Sequence, residues 1–155
     1  MEIRRAISTD AEQIHKLLCD IARLHAEGNP DVFEGTEAKY GVDEVKAMLE
    51  DPSVNVLCAS EGDTVLGYLI CKVNLTEADG LKRFRRVLYI DDLCVDGSKR
   101  GGGIGRALFE GAKRLASELN CSALDLNVWS FNKNAIAFYE KMGMTESRRH
   151  MELKL

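Results

Sequence analysis

The sequence has no long hydrophobic run. Its longest unbroken apolar stretch, residues 135–139, is five residues, whereas a helical membrane span needs roughly 20. A signal-peptide pattern is missing as well: Arg4 and Arg5 meet Asp10 and Glu12 before any apolar segment forms, so the cytoplasm is the expected place of action. Metal-ligand spacing is absent. The cysteines, Cys19, Cys58, Cys71, Cys94 and Cys121, are odd in number with no CxxC pair, and His15, His25 and His150 are scattered; buried free thiols and no metal site are expected. Nor is there an excess of positive charge. The net charge of −4 argues against an extended nucleic-acid surface.

What is present is an ordinary globular composition, 45% hydrophobic and 30% charged over 155 residues, enough for one domain spanning residues 1–155. Residues 2–7 suit a short strand, and Thr9 with Glu12 forms a capping-box signature for a helix carrying Ile14, Leu17, Leu18 and Ile21 on one face. Gly28-Asn29-Pro30-Asp31 breaks that helix, and Val42, Val45, Met48 and Leu49 mark a shorter one. Strands follow at 56–59 and 65–73 around the turn Glu61-Gly62-Asp63, then at 87–95. The basic run 82–86 reads most simply as a solvated strand end, with a phosphate or partner contact as the alternative. Ile104, Leu108, Ala112, Leu115 and Leu119 share a helical face; Leu124, Leu126 and Val128 alternate as a strand; a helix covers 134–142 and ends at Gly143. Met151, Leu153 and Leu155 predict a last strand. The whole is one mixed α/β layered domain.

The chemistry concentrates where the strand 87–95 runs into Arg100-Gly101-Gly102-Gly103-Ile104-Gly105 and a helix. Strand, glycine turn and helix start make a phosphate cradle: glycines admit close approach, and the unpaired N–H groups of the first helical turn point at the ligand. A nucleoside-triphosphate loop would need Lys-Ser or Lys-Thr after its last glycine, and Arg106-Ala107 stands there instead. The dinucleotide fingerprint GxGxxG also fails, since Arg106 or Leu108 holds the third glycine's place. Glycines that merely shape a turn remain the plain alternative.

The pattern Arg100-x-x-Gly103-x-Gly105, after an apolar strand and before a helix, resembles the coenzyme A-binding motif of the GNAT superfamily of N-acetyltransferases. So does the segment from Asn132 through Tyr139 to Gly143, where an Asn is followed seven residues later by a Tyr. With the opening Ile3-Arg4-Arg5-Ala6 and its helix, the likeness covers essentially the whole chain. It departs at Asp96-Gly97, where the family often has a proline, while Lys99 stands where the family often has an aromatic or basic residue. The resemblance implies an α+β fold with a mixed, mostly antiparallel central sheet, flanking helices and two splayed central strands. Acetyl-coenzyme A would be the cosubstrate. Its pantetheine arm would insert in the splay and pair with backbone of Leu93, Cys94 and Val95, and its pyrophosphate would sit on the N–H groups of Gly101, Gly102, Gly103, Ile104, Gly105 and Arg106. Asn132, Lys133, Asn134 and Ala135 would meet it from the neighbouring helix.

An amine acceptor arrives protonated, with a pKa of ~10, and must lose a proton before it attacks. Asp91 and Asp92 are the candidate bases. Neighbouring strand residues face opposite sides, so only one should reach a given pocket, and resemblance to polyamine-type members favours Asp91. Tyr139 holds the family's position for the acid that protonates the departing thiolate. A covalent route through Cys94 is the disfavoured alternative to direct transfer. The segment 27–39 carries Asp31 and Glu34 in an acidic rim suited to a small cationic amine. Alternatives are a protein or peptide amine, or a coenzyme A-binding sensor without turnover. A homodimer through the C-terminal residues 151–155 is a further expectation.

Overall fold

The computed structural model describes residues 1–35 and 37–154. A five-stranded sheet runs in the order β1 (Glu2–Arg5), β2 (Val54–Glu61), β3 (Thr64–Thr76), β4 (Arg85–Val95) and β5 (Ala123–Leu126), so spatial order equals chain order. The first three pairings are antiparallel and β4·β5 is parallel. Only a parallel partner needs a crossover, and α3 (Ile104–Glu118) supplies it. Helices α1 (Ala11–Gly28) and α2 (Val42–Glu50) cover one face of the sheet, α3 covers the other, and α4 (Lys133–Lys141) follows β5.

Alternation along β3 builds two cores. Tyr68 and Ile70 face α1 and α2 with Ile14, Leu17, Leu18 and Val45, while Leu69 and Cys71 face α3 with Leu108, Phe109 and Leu115. Fully burying such side chains contributes ~1.5–3 kcal/mol each, and β2 shares the pattern, with Val56 and Cys58 toward α1 and α2 and Leu57 and Ala59 toward α3. Of the helical faces expected from the sequence, Ile14, Leu17 and Leu18 in α1, Val45 in α2 and Ile104, Leu108, Ala112 and Leu115 in α3 are buried, with Ile21, Val42, Met48, Leu49 and Leu119 partly buried beside them and Phe109 and Ala116 added. Gly143 ends the α4 segment at φ +91°.

Four expectations are corrected. The first helix is not opened by Thr9 and Glu12: a 3-10 turn, Ser8–Asp10, precedes α1, and the Asp10 carboxylate accepts from Ile7 N at 2.8 Å and pairs with both Arg4 guanidinium nitrogens at 2.7 and 3.0 Å. The basic run is only partly solvated, since Arg86 Nε donates to Leu119 O at the end of α3 at 2.7 Å. The last strand is not formed: residues 145–154 have no regular structure, Met151 and Leu153 are exposed, and Leu155 lies outside the described residues. A strand exists only beside a ladder partner, and no described strand runs beside this segment. The strand expected through Val128 likewise stops at Leu126.

Candidate functional site

The site begins with an irregularity in β4. Ile70 pairs with Asp92 and the next β3 residue, Cys71, pairs with Ile90, so Asp91 is an extra residue, a β-bulge. Side chains before and after it show the change of phase. Leu88 and Ile90 face α3, and so do Leu93 and Val95, although Ile90 and Leu93 are an odd interval apart. Cys94 faces α1 instead, its thiol 3.7 Å from Leu17 O. The bulge therefore turns Asp91 and Asp92 to the same side of the sheet, toward α1 and α2, where their partners lie. The expectation that neighbouring carboxylates must diverge is overturned, because period-two alternation does not hold across an inserted residue.

At the same point β4 and β5 part. Their register runs from Val87↔Ala123 to Ile90↔Leu126 and ends there; among the described residues no strand lies beside residues 91–95 on that side. Asp96 N donates to Leu66 O at 2.9 Å, which fixes the alternation of the antiparallel ladder. The Cys94 backbone is thus committed to β3, while the N–H and C=O groups of Leu93 and Val95 turn into the gap. Of the three residues expected to pair with a ligand through their backbone, two face it.

The adjacent carboxylates sit in opposite environments. Asp91 Oδ2 accepts from Lys39 Nζ at 2.9 Å and from Tyr40 Oη at 2.8 Å. Burial alone would raise its pKa, but these two hydrogen bonds and the positive charge outweigh it and hold the carboxyl below its ordinary value. Asp92 accepts from Tyr68 Oη at 3.1 Å. Burial pushes it up to about 6, offset in part by the Tyr68 bond and Lys39, and reinforced by the charge of Asp91. Asp92, not Asp91, is poised to exchange a proton near neutral pH.

Below the gap lies the glycine loop. Gly103 precedes α3 with φ +80° and Gly101 has φ +84°, conformations that side-chain-bearing residues rarely adopt. No atom stands within 4 Å of where a Cβ on either would lie, so the loop is open to a ligand. Ala107 N is the first to bond back, to Gly103 O at 3.0 Å, which leaves the N–H groups of Ile104, Gly105 and Arg106 for an anion. Gly102 is exposed, and Arg100 sits at the mouth with Nε 3.4 Å from Val95 O. These groups fit a pyrophosphate, and the gap fits a narrow arm with amide groups.

Helix α4 closes the α3 side. Phe138 lies 3.5 Å from the Cβ position of Gly105, and Val95 lies 3.7 Å from it. Tyr139 packs on Phe109 and Phe138, with ring centroids 6.3 and 5.2 Å away. Burial raises its pKa, helped by the negative charge of Asp92, so the phenol stays protonated. Asn132 caps α4 through Oδ1, which accepts from Ala135 N at 3.1 Å; Lys133 and Asn134 are exposed on the first turn. The Cys94 thiol is pushed up to about 12 by burial, then by Asp92, which removes it as a nucleophile.

Around the carboxylates the structure adds residues that sequence reading passed over: Lys39, Tyr40 and Tyr68. His15 Nδ1 lies 3.0 Å from Tyr40 O and holds that loop end to α1. Phe33 meets Trp129 edge-on at 5.1 Å, joining the loop after α1 to the loop after β5. Asp31 and Glu34 are exposed. Asp31 pairs with Lys154, so the loop reaches the site through Lys39 and Tyr40 and not through its acidic residues. Among the described residues no cluster of potential metal ligands is present, and no helix is long and apolar enough to cross a membrane.

Comparison with known proteins bears on the fold and the family. A tetramutant of the BH1408 protein from Bacillus halodurans superimposes with a TM-score of 0.94 at 30% identity, covering 100% of each chain. An aminoglycoside N-acetyltransferase, AAC(6')-Iy, solved with CoA, has a TM-score of 0.73 at 15% identity over 99% of this chain and 98% of that one, a likeness of fold alone. In sequence, the glucosamine 6-phosphate N-acetyltransferase of Trypanosoma brucei brucei is 34% identical over 71 residues, 46% of either chain. The thialysine N-epsilon-acetyltransferase of Bos taurus is 30% identical over 83 residues, 54% of this chain and 46% of that one. The match thus spans less than half the length of these curated relatives. The model of the acetyltransferase (GNAT) family matches residues 14–144, and the chain belongs to that acetyl-coenzyme A-using family.

Proposed function

We propose that this protein transfers an acetyl group from acetyl-coenzyme A to a primary amine of a small cationic molecule, by direct attack. The observation that carries the reading is the coincidence of bulge and splay. The residue that turns both carboxylates to one face of β4 also marks where its other edge becomes free. Acetyl-coenzyme A would be held by Arg100, the first turn of α3, the start of α4 and the gap-facing backbone of Leu93 and Val95. It supplies an electrophilic thioester carbonyl and a thiol leaving group.

The chain's own groups divide the work. Asp91 attracts and orients the ammonium. Asp92, with a pKa near 6, takes the proton that must leave before nitrogen can attack, directly or through a water. A gap-facing N–H of Leu93 or Val95 donates to the oxygen on which negative charge develops. Tyr139, held protonated by burial, donates to the departing sulfur. Holding amine and thioester together accounts for most of the acceleration, because the thioester is already reactive. Glu34 acts at longer range, as an exposed charge that raises the local concentration of cations, while Asp31 is paired with Lys154. A sensor without turnover would not need a carboxyl tuned near neutrality beside a protonated phenol.

Thiol release from acetyl-coenzyme A, screened over polyamines, amino acids, aminoglycosides and short peptides, tests the reading. Release is expected with small cationic amines; release with peptides alone would move the acceptor to protein amines. Acetyl-coenzyme A should also raise the melting temperature by mass action, and Gly103→Val should abolish that rise. An unchanged rise would remove the loop from the binding site.

A further inference from the structure

We propose that Lys39 is a resident occupant of the acceptor's ammonium subsite, and that the acceptor is a primary ammonium on an unbranched alkyl chain that enters by displacing it. The inference rests on the reading of Asp91 and Asp92 as the acceptor's carboxylates. Its basis is what already stands at Asp91. The Lys39 ammonium, on four methylenes, is 2.9 Å from Asp91 Oδ2 and 5.1 Å from the centroid of the Tyr40 ring. Tyr40 donates its hydroxyl to the same carboxylate oxygen. A carboxylate, a phenol and an aromatic face around one ammonium form a recognition site for that group. The occupant is the protein's own.

Three observations make Lys39 removable. Its side chain is 48% exposed while Asp91 is 13% exposed, so the ammonium stands on the solvent side of the carboxylate. The loop does not depend on it: Ala38 and Tyr40 pack against the α1/α2 core, and His15 holds the Tyr40 backbone. Finally, replacing one ammonium by another conserves both charge and hydrogen bonds at Asp91, so the exchange is nearly balanced and is set by concentration and fit. A half-exposed ion pair of this kind is a weak competitor. It lowers acceptor affinity by the fraction of time the subsite is filled, and it leaves Asp91 neutralised when no acceptor is bound.

Calorimetric binding of 1,5-diaminopentane to the whole protein, without acetyl-coenzyme A, tests this independently of turnover. Lys39→Met and Lys39→Gln should each bind the diamine about three- to tenfold more tightly than wild type. Lys39→Arg, which keeps a cation on the loop, should stay within about twofold of wild type. 1,5-Pentanediol should bind none of them. The proposal is overturned if the neutral variants, with melting temperatures near wild type, bind the diamine no more tightly. It is also overturned if the arginine variant tightens as much as they do, or if no form binds the diamine. A failure of thiol release with every amine would instead remove the transferase reading while leaving the displacement result to stand on its own.

Discussion

The two halves of β4 share a strand and differ in everything that matters for function. Up to Ile90 the strand is held by β3 on one edge and β5 on the other, and Val87, Leu88 and Ile90 are buried. From Asp91 to its end it keeps β3 alone, carries two carboxylates, and turns the backbone groups of Leu93 and Val95 to an open gap. The first half contributes stability through a complete ladder and a filled core. The second leaves backbone groups without a strand partner, the Val95 carbonyl being met by Arg100 Nε at 3.4 Å, and these are what a ligand can compete for. Binding capacity here is the part of the ladder that the fold does not complete.

The sharpest test of that division is chemical. Tyr139→Phe, beside the open half, should lower kcat by ~10²–10⁴-fold with the affinity for acetyl-coenzyme A nearly unchanged. If turnover matches wild type, Tyr139 serves only the core with Phe109 and Phe138. Asp92→Asn should cost ~10²-fold or more in kcat/KM and erase the acid limb of its pH profile, which in the wild type should fall below about pH 6. A wild-type limb retained in the variant would assign the base elsewhere.

The same substitution gives a stability signature. The Asp92 pKa is raised from 3.8 to about 6 in the fold, so its stabilising contribution is complete below pH 3.8 and is lost as pH rises through about 6. An amide does not titrate. The melting temperature of Asp92→Asn relative to wild type should therefore rise between pH 4 and 8, by roughly 6–12 °C for a shift on the order of 3 kcal/mol. A gap independent of pH would show that Asp92 titrates normally.

Gly67→Ala probes the supported edge. Its Cβ would stand 2.7 Å from Cys94 O and 3.2 Å from Val95 Cα, both backbone atoms that cannot move without opening the β3·β4 ladder. A loss of ~1–3 kcal/mol is expected in thermal or urea unfolding. A neutral result would mean that β4 shifts freely against β3. The smallest effect is expected at the periphery: Glu34→Gln should raise the acceptor's KM by less than about twofold, and 0.5 M salt should remove the difference. A larger, salt-insensitive change would place Glu34 in direct contact with the acceptor.

The loop, the helices and the order of the first nine elements were legible in the sequence because each carries a local signal: helical spacing of Leu and Ile, alternation in β3, glycines before Ile104. Asp91 and Asp92 were legible as a pair but not as a geometry. A bulge depends on the register between β3 and β4, and nothing in the residues 90–93 marks which of them is the extra one. Lys39 and Tyr40 were passed over for a related reason: they reach Asp91 across 52 and 51 positions. The C-terminal strand failed in the other direction. Three alternating apolar residues among Glu152, Lys154 and the arginines before them imitate a strand, yet no neighbouring backbone was part of the pattern.

The bulge also says something about deletions. Along a strand, sidedness is a matter of counting, odd residues to one face and even to the other, and Asp91 is the miscount that lets two neighbours fall together. Removing it would join Ile90 directly to Asp92, bring the pairs Cys71↔Ile90 and Ile70↔Asp92 into unbroken register, and leave Asp92, Leu93, Cys94 and Val95 on the faces they hold now. Losing this residue should therefore spare the ladder and cost the site one carboxylate and the local twist of the bulge. The strand can be one residue short and still pair; it cannot then present two neighbouring carboxylates to one face.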